Sequence, residues 1–124
     1  LNVVVPKLIF NSNKIEIRKY SNNKLKFLFD PIKASFNSKC IMTDVWLSMG
    51  EKNKNKNKYF KGLTVDKNIM KSAARDAIFM HCLPAKREKE VTSDVLDGKS
   101  SVILQQAQNR MFIQQAILIY VLKK

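Results

Sequence analysis

The 124-residue sequence predicts an α/β domain, a mainly parallel sheet flanked by helices. Three observations lead there. Short apolar or β-branched runs recur along the chain. Segments with helical spacing or a capping signal separate them. The composition, 45% hydrophobic with three Gly and three Pro, is that of an ordinary globular protein. A chain of this length builds one modest domain with a real core.

The elements follow in order. Asn2 to Val5 is apolar and β-branched, and Pro6 stops it, so it reads as a buried strand. Lys7 to Tyr20 has loose helical spacing that Asn11, Ser12 and Asn13 interrupt, and Ser21 to Asn23 reads as a turn. Lys24 to Phe29 alternates as a strand. Asp30 before Pro31 is a helix start, with a capping carboxylate and a proline in the first turn, for a short helix over Ile32 to Ser38. Cys40 to Thr43 reads as a brief buried strand with Asp44 at its carboxyl end.

Glu51 to Lys58 is a Lys/Asn alternation, expected as an exposed, mobile helix or loop that rejoins the body at Tyr59, Phe60 and Gly62. Thr64 or Asp66 caps a helix from Lys67 to about Arg75. Ala77 to Pro84 is a second apolar strand ending in polar residues. Lys86 to Glu90 is a charged connection, and Thr92 or Ser93 opens one helical turn that Gly98 ends. Val102 to Leu104 is expected as a last short strand before a helix from about Gln106 to Leu122. The tail, Lys123 and Lys124, suits the negative end of that helix.

The formal net charge of +13 raises the question of a polyanion partner, but the lysines are scattered and not gathered on one face. A solvated surface is the favoured reading, with no nucleic acid. Cys40 and Cys82 lack a Cys-x-x-Cys partner, and with the single His81 they cannot complete a four-ligand zinc site. Both are expected on buried strands as small apolar residues. The longest apolar run, Ala116 to Leu122, is too short for a bilayer, and no signal-peptide layout opens the chain. The expectation is a soluble protein of the cytoplasm, with an organelle left open.

Two stretches have the layout of a site. Met42 to Gly50 puts a carboxylate, a hydroxyl and a glycine just after an apolar run, and Ala77 to Pro84 repeats the design. Open α/β sheets keep their ligand crevice at the carboxyl ends of such strands.

Asp44-Val45-Trp46 followed by Ser48-Met49-Gly50, then His81-Cys82-Leu83-Pro84, then Gln106-Ala107-Gln108-Asn109-Arg110-Met111, resemble the ornithine carbamoyltransferases in three ordered motifs. The resemblance runs over essentially the whole chain and is strongest from Thr43 onward. It implies a three-layer, Rossmann-like fold, incomplete at its amino end. It also implies that residues 1–124 are part of the ornithine-binding domain, with the carbamoyl-phosphate-binding domain absent. That domain's Ser-x-Arg-Thr-Arg and His-Pro-x-Gln motifs do not occur here.

The implied reaction moves a carbamoyl group from carbamoyl phosphate to the δ-amine of L-ornithine, giving L-citrulline and phosphate. The implied assembly is a homotrimer, with no cofactor and no metal. By motif, Asp44 pairs with the substrate ammonium, Ser48 hydrogen-bonds the amino-acid head group and the Met49 backbone N–H meets its carboxylate. Cys82 and Leu83 accept the carbamoyl amide hydrogens through their backbone carbonyls, across a cis Leu83-Pro84 peptide. Arg110 donates to the carbonyl oxygen as it becomes negative. Asp44, Cys82 and Arg110 are the expected catalytic residues. Trp46 and Gly50 aim the loop, and His81 reads as a structural histidine.

The sequence departs from the family's pattern at three places. The Lys/Asn run replaces a usually acidic segment, Leu63-Thr64 stands for Tyr-Gln, and Gln108 for Glu. Two other readings stay open: a transcarbamoylase for another amine such as putrescine, which the Ser-Met-Gly loop argues against, and a non-catalytic remnant. The isolated 124 residues are expected to be inactive.

Overall fold

The computed structural model describes residues 1–20, 24–47, 50 and 54–123. The Ser21 to Asn23 turn expected from sequence, and the start of the Lys/Asn segment at 51–53, lie outside them. The chain runs β1 (Asn2–Val4), α1 (Lys7–Ser12), α2 (Lys14–Tyr20), β2 (Lys26–Leu28), α3 (Pro31–Ser35) and β3 (Cys40–Thr43). A 3-10 helix over Lys54–Phe60 follows, then α4 (Lys67–Ser72), β4 (Ile78–His81), α5 (Ser93–Leu96) and α6 (Ile103–Leu122). Both strand pairs are parallel, β1 with β2 and β3 with β4, each reached by a helical crossover as a parallel pair requires. The fold is therefore α/β with a parallel sheet arrangement, described as two two-stranded sheets.

Local chemistry explains the helix boundaries. Asn13 ends α1, its side-chain amide and its backbone N–H both turning back to the Ile9 carbonyl, and α2 starts afresh at Lys14. Asp30 accepts from the backbone N–H groups of Ile32 and Lys33, with Pro31 at a position where its missing donor costs nothing. Asp66, not Thr64, caps α4 through the N–H groups of Asn68 and Ile69. That helix stops at Ser72, short of Arg75, because Ala73 leaves helical geometry with ψ 173°.

The core lies beneath β4. Phe79 and Val91 are fully buried, joined by Val65, Ile69, Val95 and Leu96. The 65–66 segment is held to the 90–92 segment by Val65 N–H to the Glu90 carbonyl and Thr92 N–H to the Val65 carbonyl. On the edge of β4 away from β3, Phe79 exchanges backbone hydrogen bonds with Ser100 and Val102.

Several expectations are corrected. The strand over Val102 to Leu104 does not form: Ser101 makes a single bridge to Phe79, and α6 already begins at Ile103. The run Gln105 to Gln108 is rich in good helix formers, and helix lets Ile103 turn onto the core. The strands β1 and β3 are not buried. Met42 is 58% exposed, and Cys40 is exposed rather than enclosed on a strand. Cys82 lies one residue past β4 and is half-buried, and both cysteines are free thiols. The Lys/Asn segment, where described, takes one of its two expected forms, a helix of the 3-10 type. From Gln108 to Leu122 every side chain of α6 is exposed among the described residues, Phe112, Ile117 and Leu122 included. Among the described residues no helix is long and apolar enough to cross a membrane.

Candidate active site

The register of β3 on β4 builds the site. Thr43 lies opposite His81, so the next residues, Asp44 and Cys82, leave two parallel strands side by side. Neighbouring strands sit about 4.8 Å apart, within reach of two short side chains. The Cys82 thiol donates to Asp44 Oδ1 at 2.8 Å, and the Val45 N–H donates to the same oxygen at 2.6 Å. The thiol contact is the main reason that the Asp44 carboxyl is held below its usual value, with the Val45 amide second. The same contact, reinforced by partial burial, pushes the Cys82 thiol up. The proton therefore stays on sulfur and the charge on Asp44.

The third segment arrives from α6. Arg110 Nη1 donates to the Cys82 carbonyl at 3.5 Å, a long bond at the edge of the useful range. Asp44, Cys82 and Arg110, from three separate segments, thus form one continuous cluster. Leu83 takes φ 57° ahead of a cis Leu83-Pro84 peptide, the isomer that the family resemblance implied. A shallow cleft of roughly 520 Å³ opens beside this turn, lined by Leu83, Pro84, Ala85, Leu96, Ile103 and Arg110 among others. Asp44 is not part of its lining.

His81 is fully buried, on the face opposite Cys82, as alternation along a strand dictates. Its Nδ1 accepts from the Leu83 N–H at 2.8 Å, which leaves its proton on Nε2, 3.5 Å from Glu90 Oε1. Glu90 Oε1 also accepts from the Lys86 N–H. Both ends of the 83–86 turn are thereby tied to buried side chains. Three buried polar atoms keep no hydrogen-bond partner among the described residues: His81 Nε2, Glu90 Oε2 and Ser101 Oγ.

Sequence reasoning missed Glu90, which it took for part of a charged connection and which is fully buried. Nothing in the Lys-Arg-Glu-Lys-Glu run marks the one acid that folds inward. It also passed over Gln106, whose Oε1 accepts from the His81 N–H at 2.9 Å. Trp46 packs as expected, stacked on Phe60 with ring centroids 5.6 Å apart and planes 13° from parallel. That stack ties the Asp44 loop to the point where the Lys/Asn segment rejoins the body. Gly50 has φ 87°, a turn conformation that favours glycine. Ser48 and Met49 lie outside the described residues.

Parallel strands delivering a carboxylate and a backbone-exposing turn to one edge, with an arginine reaching in from a helix, define an α/β ligand-binding domain of the strand-end type. Residues 1–121 match the family model for the Asp/Orn binding domain of aspartate/ornithine carbamoyltransferase, and the chain belongs to that family. The ornithine carbamoyltransferase of Methanococcus vannielii is 41% identical over 122 residues, 95% of this chain and 40% of that protein. The solved structure of ornithine carbamoyltransferase from Pyrococcus furiosus superposes with a TM-score of 0.74 at 37% identity, over 94% of this chain and 40% of that one. The anabolic enzyme from Campylobacter jejuni gives 0.81 at 30% identity, over all of this chain and 43% of that one. The chain spans about two-fifths of the length of the relatives it matches.

Proposed function

We propose that residues 1–124 act as the ornithine-binding part of an ornithine carbamoyltransferase, with most ligands of the phosphate group of carbamoyl phosphate supplied from outside them. The observation that carries this reading is the convergence of Asp44, Cys82 and Arg110. The share of each relative that the chain covers agrees with it.

In this reading Asp44, held anionic, receives the δ-ammonium of L-ornithine where the Cys82 thiol now donates, and the thiol turns to lie beside the amine. Ser48 and the Met49 N–H take the amino-acid head group. The Cys82 and Leu83 carbonyls accept the two carbamoyl N–H groups of carbamoyl phosphate. The ammonium loses one proton to solvent, and the lone pair of the neutral amine forms the N–C bond. The carbonyl oxygen becomes negative under the Arg110 guanidinium; the C–O bond to phosphate then breaks with its electron pair leaving on phosphate, which takes the second amine proton, so that L-citrulline and phosphate are released. Holding the amine against the carbamoyl carbon makes the attack effectively intramolecular. The complete protein is expected to be a homotrimer, which light scattering of the full chain checks.

The test is citrulline formation by the full chain from carbamoyl phosphate with ornithine or putrescine as acceptor, beside the isolated 124 residues. The reading expects activity with ornithine, lost by about 10²-fold or more in kcat/KM for Asp44→Asn, and none from the 124 residues alone. Preference for putrescine, or unchanged kinetics in Asp44→Asn, defeats it.

A further inference from the structure

Arg110 reaches the Cys82 carbonyl from α6, whose side chains from Gln108 to Leu122 are all exposed among the described residues. A polar contact ties the first turns of this helix to the end of β4. Gln106 lies four residues before Arg110, on the same face of the helix one turn earlier. Its Oε1 accepts from the His81 N–H at 2.9 Å, across 25 residues of sequence. A backbone N–H can meet only the oxygen of an amide side chain, so the orientation of that side chain is set by its partner. Gln106 is itself fixed in the first turn of α6 by its N–H to the Val102 carbonyl, and Val102 is bonded to Phe79 of β4.

Two residues of one helix face thus grip two successive residues of one strand end. Gln106 takes the amide of His81, and Arg110 donates to the carbonyl of Cys82. We infer that Gln106 is a positioning residue, which sets the distance between the Arg110 guanidinium and the Cys82 carbonyl by locking the first turns of α6 to the end of β4. The role rests on the proposed function only in that Arg110 and Cys82 are read as carbamoyl-binding groups. Since the Arg110 contact is already long at 3.5 Å, a further slip of α6 along β4 takes the guanidinium out of hydrogen-bond range. Displacements of about 1 Å at a reacting centre cost up to about 10²-fold in rate.

The experiment uses the full chain. Gln106→Met, close in volume but without an acceptor, is expected to lower kcat about tenfold while KM for ornithine stays within about twofold. Gln106→Glu keeps an acceptor for the His81 N–H and should restore kcat to within about threefold of wild type. In an Arg110→Lys background, where a flexible stem no longer depends on the position of the helix, Gln106→Met should cost less than about threefold. A full additional tenfold there marks a general structural role and overturns the inference, as does a Gln106→Met enzyme with unchanged kcat. A wild-type full chain that makes no citrulline sinks the functional reading instead. The inference then stands or falls on the ¹⁵N resonances of the Arg110 guanidinium, which should shift in Gln106→Met and return in Gln106→Glu. Resonances unmoved by Gln106→Met overturn it.

Discussion

The Asp44 carboxylate accepts a hydrogen bond from the Cys82 thiol across 2.8 Å, although the two residues are 38 positions apart. The Asp44 carboxyl is held below its ordinary value by that thiol first, and the Cys82 thiol above its ordinary value by that carboxylate first. Neither direction depends on deep burial, since Asp44 is exposed and Cys82 only half-buried. The contact is a local arrangement of donor and acceptor.

Its consequence for thiol chemistry has a definite sign. A carboxylate acceptor favours the protonated thiol, so removing its charge lowers the thiol's pKa and raises the fraction of thiolate. In a Cys40→Ser background, Asp44→Asn should speed alkylation of Cys82 by iodoacetamide at pH 8, because a lower thiol pKa leaves more thiolate. Slower or unchanged alkylation contradicts the assignment of the proton to sulfur.

The same pair predicts acid behaviour. A carboxyl whose folded pKa is depressed contributes stability above its unfolded value and loses it as the pH falls through the folded one. The Asp44 side-chain resonance should therefore titrate with a midpoint below that of an ordinary aspartate. In Cys82→Ala that midpoint should rise toward the ordinary value, and a midpoint that does not move shows that the thiol is not the cause.

Phe79 is the centre of the packing. Phe79→Ala removes a fully buried ring and leaves a cavity, at a cost of about 3–5 kcal/mol. Met42→Ala on the neighbouring strand, where the side chain is 58% exposed, should cost less than about 1 kcal/mol. Urea unfolding of the two variants separates these values, and similar losses would move the core away from β4.

Two aspartates start helices by the same chemistry. Asp30→Ala and Asp66→Ala should each lower stability by about 1 kcal/mol, because each strands two backbone N–H groups at a helix start. Asp66→Asn, which keeps the acceptor, should lose only a few tenths of that energy. Equal losses for Asn and Ala would assign the effect to charge.

Glu90 holds the far end of the 83–86 turn. Glu90→Ala leaves the Lys86 N–H without its acceptor, a loss of about 1–3 kcal/mol, and should speed exchange of that amide. Glu90→Gln keeps an acceptor and should lose less. A Lys86 amide that exchanges alike in wild type and Glu90→Ala shows that the carboxylate does not hold the turn.

What the sequence determined by itself is local. The apolar runs at Cys40 to Thr43 and Ile78 to His81, the caps at Asp30 and Asp66, and the break at Asn13 depend on neighbours within a few residues, and each is where its chemistry puts it. The motifs were legible for the same reason: Asp44, Cys82 and Arg110 stand in short ordered blocks. Tertiary structure decided what depends on distance in the chain. The parallel register that sets Thr43 opposite His81 is what brings Asp44 to Cys82, and the docking of α6 is what gives the His81 amide to Gln106. Glu90 and Met42 show the same division. An acid in a charged run folds inward where the Lys86 backbone amide across a turn meets its oxygen, and a methionine in an apolar run stays exposed because the described residues do not cover that side of its strand. Hydrogen bonds and burial between distant segments are settled by which surfaces meet, and no short stretch of sequence carries that information.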